Sequence, residues 1–117
     1  MLRRMVIALM LVSLTSSANA ALLRFKDYKT SKDRWGKAVN KVYLDGVKQG
    51  LLAFDAELAV EGRQRLFCLP QNLALTVEQA EDIMMREANK TTDPDKFPIS
   101  VLLINGLKET FPCDAKH

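Results

Sequence analysis

Cys68 and Cys113 are the only cysteines among 117 residues, and both lie downstream of a segment with the marks of an export signal. Arg3 and Arg4 supply a positive start, residues 5–14 an apolar stretch, and Ser16, Ser17 and Ala18-Asn19-Ala20 the small residues of an A-x-A cleavage site. As a helix the apolar stretch reaches about 15 Å, half a bilayer core, which is too short for an anchor. No cysteine stands at the cleavage point, which argues against lipid attachment. Cleavage after Ala20 therefore delivers residues 21–117, as a single domain, to an oxidising compartment outside the inner membrane. One intramolecular disulfide between Cys68 and Cys113 is the default reading there, with free or intermolecular thiols as the alternative. Closing so long a loop stabilises a fold by on the order of 4 kcal/mol, comparable to the net stability of a small domain.

The spacing of these cysteines does not suit a C-x-x-C redox centre, and with His117 as the one histidine they cannot close a zinc site. No cofactor is expected. Ser31 and Ser100 are the only serines beyond the signal, so no Ser-His or Cys-His arrangement offers a nucleophile. Carboxylates are present, but none is marked as an acid-base pair, and there is no Gly-rich phosphate loop. The chain is not expected to be an enzyme.

Loss of Arg3 and Arg4 takes Lys+Arg from 17 to 15 against 14 Asp+Glu, a nearly neutral domain without a basic run. That balance excludes nucleic acid as a partner, and no membrane association is expected after cleavage. The charge is unevenly placed: residues 21–50 carry 8 basic and 3 acidic side chains, residues 51–117 carry 7 and 11. The two parts either attract a charged partner or neutralise each other, within the fold or within a homodimer.

Helical periodicity runs through the rest. Residues 21–30 read as an arm or loop anchored by Phe25 and Tyr28. Trp35, Val39, Val42, Tyr43, Val47, Gly50, Leu51, Phe54 and Leu58 recur at steps of three and four, the inward stripe of a helix capped by Ser31 or Asp33 and stopped at Glu61-Gly62. Unbroken over 32–60 it would measure about 44 Å, so a bend is expected, with Gly46 and Gly50 on the buried side to permit it or to admit a close neighbour. Pro70 interrupts a loop that the disulfide pins. Thr76-Val77-Glu78-Gln79 is a capping box, opening a helix that buries Val77, Ala80, Ile83, Met84 and Ala88 and runs to about Asn89. A last helix is expected to bury Phe97, Val101, Ile104, Leu107 and Phe111, with Pro112 ending it beside Cys113. No segment alternates with period two. The expected class is all-α, three to four helices closed by one disulfide.

The order of these features carries a resemblance. An export signal precedes a Tyr-Leu-x-Gly-Val step with a second small residue further on (Tyr43 to Gly50), then Phe67-Cys68-x-Pro70, a Thr-x-x-Gln helix start and a closing Phe111-Pro112-Cys113. Over residues 41–113 this resembles the Rap/Tai family of periplasmic immunity proteins. The chain departs from the family pattern in having Met85-Arg86 and a longer polar stretch before Pro94, where relatives carry a Tyr-Leu-like pair and an earlier proline.

The resemblance implies a periplasmic, non-catalytic protein that binds and inhibits a peptidoglycan amidase delivered by a type VI secretion system, as in a toxin-antitoxin pair. It also implies a homodimer whose projecting loops enter the amidase cleft. The matching loop here is 89–96, and Thr91, Thr92, Asp93, Pro94, Asp95 and Lys96 are the expected partner-binding residues, with a solvated turn as the alternative. Trp35, Tyr43 and Phe54 share the inward stripe and are expected in the core. The competing function is a small periplasmic chaperone or stress protein.

Overall fold

The computed structural model describes residues 22–114; the segment expected to be an export signal, its expected cleavage site and His117 lie outside the described residues. Its elements are α1 (Phe25–Thr30), α2 (Arg34–Val60), α3 (Val77–Lys90), one 3-10 turn (Pro94–Lys96) and α4 (Ile99–Thr110). No strand occurs among the described residues, so the all-α class and the four helices agree with the sequence.

Helix α3 starts as its capping box dictates: Gln79 N–H donates to the Thr76 hydroxyl at 3.1 Å, and Thr76 N–H donates to the Gln79 side chain at 2.9 Å. Ala80, Ile83, Met84 and Ala88 are buried against α4. The two helices approach most closely at Gly106, where a Cβ would stand 2.7 Å from Ile83 Cγ2 and 3.0 Å from the Ile83 carbonyl oxygen. That contact rotates α4 away from the expected stripe. Ile99, Leu102, Leu103, Gly106 and Leu107 are buried, whereas Phe97 is 38 % exposed and Val101 and Ile104 are only half-buried.

The N-terminal arm is more ordered than expected. Phe25 is buried and starts α1, and the chain just before it pairs Arg24 with Pro98 in an isolated bridge. Asn40 of α2 donates to the Ser31 hydroxyl at 2.8 Å, tying the junction of α1 and α2.

Helix α2 is capped by Asp33, whose carboxylate accepts from Gly36 N–H. At its end Gly62 adopts φ 69°, with Gly62 N–H donating to Ala59 O at 3.1 Å and Arg63 N–H to Leu58 O at 2.8 Å, a Schellman stop. Between these caps all 27 residues are helical, and the helix runs through Gly46 and Gly50 without interruption. The expected inward face is right for Tyr43, Val47, Leu51 and Leu58 and wrong for the rest. Leu44, Lys48, Asp55 and Leu58 are buried, while Trp35, Val39, Val42, Gly46, Gly50 and Phe54 are exposed; Tyr43, Val47 and Leu51 pack against the core edge.

The buried charges explain the difference. Asp55 accepts from Arg65 at 2.8 and 3.0 Å and from the backbone N–H groups of Leu66 and Phe67 at 2.7 and 3.2 Å. Lys48 donates to Leu75 O at 3.0 Å and pairs with Asp45 at 2.8 Å. Each charged group therefore fastens the 61–76 loop to α2, and a fully partnered charge can face the core. Cys68 and Cys113 are joined as a disulfide, and Cys68 N–H donates to Phe111 O at 2.8 Å beside the fully buried Phe67.

Candidate functional site

The segment between α3 and α4 folds by local chemistry. Thr91 ends α3 and its hydroxyl donates to Glu87 O at 2.8 Å. Asp93 sits at φ 54°, a left-handed conformation that aspartate tolerates better than most residues, and Pro94 opens the 3-10 turn. The turn closes through Phe97 N–H to Pro94 O at 3.0 Å.

Residues far away in sequence brace it. Phe25 N–H donates to Phe97 O at 3.0 Å and Ile99 N–H to Leu23 O at 2.9 Å. Lys29 of α1 pairs with Asp95 at 2.7 Å while lying 5.4 Å from the centre of the Phe25 ring. Asp93 pairs with Lys96 at 2.8 Å, and that hydrogen bond holds the Lys96 ammonium above its usual pKa. The loop is thus a braced turn rather than a free tether.

Of the six residues the sequence singled out, Thr92, Asp93 and Lys96 are exposed, and Thr91, Pro94 and Asp95 are half-buried. Asp93, Asp95 and Lys96 meet Arg24, Lys26 and Asp27 around an open depression of about 460 Å³. Three acids and three bases there can exchange hydrogen bonds with a charged partner surface.

Beyond the turn, Tyr28 of α1 donates its phenol O–H to Glu81 of α3. Burial, then the Glu81 hydrogen bond and charge, push the Tyr28 phenol well above its ordinary pKa, so it stays a neutral donor. This pair staples α1 to α3 and so supports Lys29 under Asp95. Sequence periodicity marks neither this pair nor the Asp55 cluster; the available signal was a charged residue at helical spacing among apolar ones. Among the described residues no three His, Cys, Asp or Glu side chains form a group that could hold a metal ion.

The described residues thus form a small all-α domain closed by one disulfide, with a braced, charged turn at one edge. A family model described as Rap1a immunity proteins matches residues 12–113, and the chain belongs to that family. Membership makes it an immunity protein, one that binds an effector partner. No curated protein and no solved structure gives a significant match.

Proposed function

We propose that this immunity protein is exported to the periplasm, where it binds and blocks a peptidoglycan amidase delivered by a type VI secretion system. The observation that carries the reading is the family match over residues 12–113, which spans the helices and both cysteines. The protein acts by occlusion rather than by chemistry. The turn at Thr91, Thr92, Asp93, Pro94, Asp95 and Lys96 enters the amidase cleft, where Asp93 and Asp95 accept hydrogen bonds from groups that normally receive the cell-wall peptide. Preorganisation favours this role: bracing by Leu23, Phe25 and Lys29 means little conformational freedom is lost on binding. The family resemblance implies a homodimer as the working form.

The test is capture of partners from periplasmic extract of the source strain by oxidised residues 21–117, with mass identification. Stoichiometric recovery of one cell-wall amidase is the expected result. Recovery of many unrelated proteins would favour a chaperone and overturn the reading.

A further inference from the structure

The uneven charge of the chain is not cancelled inside the fold. Of the 8 basic residues in 21–50, Lys29 and Lys41 reach acids of the later part, Asp95 and Glu78, and Lys48 pairs with Asp45 of its own helix. Among the described residues Arg24, Lys26, Lys32, Arg34 and Lys37 form no ion pair. Lys37 is set apart from the other four by its place on α2. On a helical projection it and Lys41 lie within about 60° of the buried Leu44, the side of α2 that meets the core. Lys48 on that same side is satisfied by Leu75 O and Asp45. Lys41 has only Glu78, at 3.5 Å and on a carboxylate 67 % exposed. Both Lys37 and Lys41 line an open cavity of about 320 Å³ bounded by α1, α2 and α3. The other polar groups of its wall are already engaged. Tyr28 O–H donates to Glu81, and the Asn40 amide donates to the Tyr28 carbonyl oxygen at 3.4 Å and to the Ser31 hydroxyl at 2.8 Å. Ser31 O–H in turn donates to Asp27 O at 3.2 Å. What the cavity has left for a ligand is charge: three ammonium groups, Lys29, Lys37 and Lys41, against the one carboxylate of Glu81.

We propose that this cavity binds a small anion bearing a phosphate group, held by Lys37 and Lys41 with Lys29, shared with Asp95, at its edge. The site goes beyond the effector-binding reading and does not rest on it. A cleft lined by one sign of charge concentrates counter-ions of the other, and hydrogen bonds inside the wall keep this one open in its present shape. The donor set selects the ligand. Ammonium groups are compact point charges without the planar fork of arginine, so they reward charge density rather than the flat geometry of a carboxylate. The cavity is of the size that takes a small organic molecule, and Met85, 38 % exposed, gives it an apolar wall. A phosphomonoester therefore fits as well as the free ion.

The test is titration of oxidised, isotope-labelled residues 21–117 with inorganic phosphate, glycerol phosphate and succinate at constant ionic strength, followed through the backbone amide resonances. The expected result is saturable shifts around the cavity with Kd below about 1 mM for a phosphate probe, and succinate at least about tenfold weaker. Whichever phosphate probe binds more tightly tells a phosphomonoester from the free ion. Lys37→Gln combined with Lys41→Gln should weaken binding at least about tenfold, and Lys37→Gln alone, at an exposed residue, about threefold, with the remaining amide resonances unmoved. Lys32→Gln removes the same charge outside the cavity and should leave the affinity unchanged. Shifts that never saturate overturn the proposal, as does succinate binding as tightly as phosphate, or a loss in Lys32→Gln equal to that in Lys37→Gln. Because no effector is present, failure of the amidase reading leaves these results untouched.

Discussion

Asp55 is 1 % exposed in the middle of a helix, and its carboxylate is the anchor for Arg65, Leu66 and Phe67. Removing it leaves two backbone N–H groups and a guanidinium without their acceptor. Asp55→Ala should therefore destabilise the fold by about 3–5 kcal/mol, measured by urea unfolding. Arg65 is more than a third exposed, so Arg65→Ala should cost clearly less; equal losses would contradict this division of labour. At the far end of α3, Glu87 has a carboxylate oxygen enclosed without a donor, and it faces Glu109 of α4. Loss of hydration, then the neighbouring Glu109, hold its carboxyl above the ordinary value. A carboxyl raised on folding favours the folded state while protonated, and stability falls as pH rises through the folded pKa. Glu87→Gln should accordingly raise the melting temperature relative to the parent near about pH 7, with the gain shrinking below about pH 4. Glu109 runs the other way, its carboxyl lowered first by the hydrogen bond from Lys90 at 2.6 Å, and the stability it brings is lost as pH falls. A gain from Glu87→Gln that persists at acid pH would rule out this origin.

At the scale of elements, α3 was legible and α2 only half so. The Thr76 to Gln79 box and the spacing of Ala80, Ile83, Met84 and Ala88 belong to local chemistry and one apolar arc, so the start, end and face of α3 all follow from sequence. Helix α2 has two apolar arcs. The arc through Trp35, Val42 and Gly46 contains fewer charges and so reads as the core face, yet the core takes the arc through Leu44 and Leu58 because Lys48 and Asp55 find partners in the 61–76 loop. Those partners are tertiary, and periodicity carries no trace of them. The glycines separate the two situations experimentally. Gly106→Ala drives a methyl into Ile83 and should cost about 1–3 kcal/mol. Gly46→Ala meets nothing within 4 Å and should instead stabilise the fold by up to about 0.8 kcal/mol. Thermal melts of the two variants distinguish these outcomes, and destabilisation of the Gly46→Ala chain would contradict the exposed placement of that residue.

For the molecule as a whole, the disulfide joins the 61–76 loop to the end of α4 and so locks the last helix against α2. Cys68→Ala should cost about 2–5 kcal/mol and abolish function through unfolding, seen as loss of cooperative melting rather than as a lost contact in a folded chain. The candidate turn was legible as a polar, proline-containing segment of residues 91–96. Its bracing was not, because Leu23, Phe25 and Lys29 are distant from it in sequence and meet it only through the tertiary fold. Family membership and a preorganised, charged turn together make inhibition by occlusion the central claim. The most direct measurement is titration of a cell-wall amidase recovered from the source strain by oxidised residues 21–117 with that same protein, following peptide release from peptidoglycan. Complete inhibition near one chain per enzyme, weakened at least about tenfold when Asp93→Lys and Asp95→Lys are combined, is the predicted result. Undiminished turnover in the presence of excess folded, disulfide-bonded protein would contradict it.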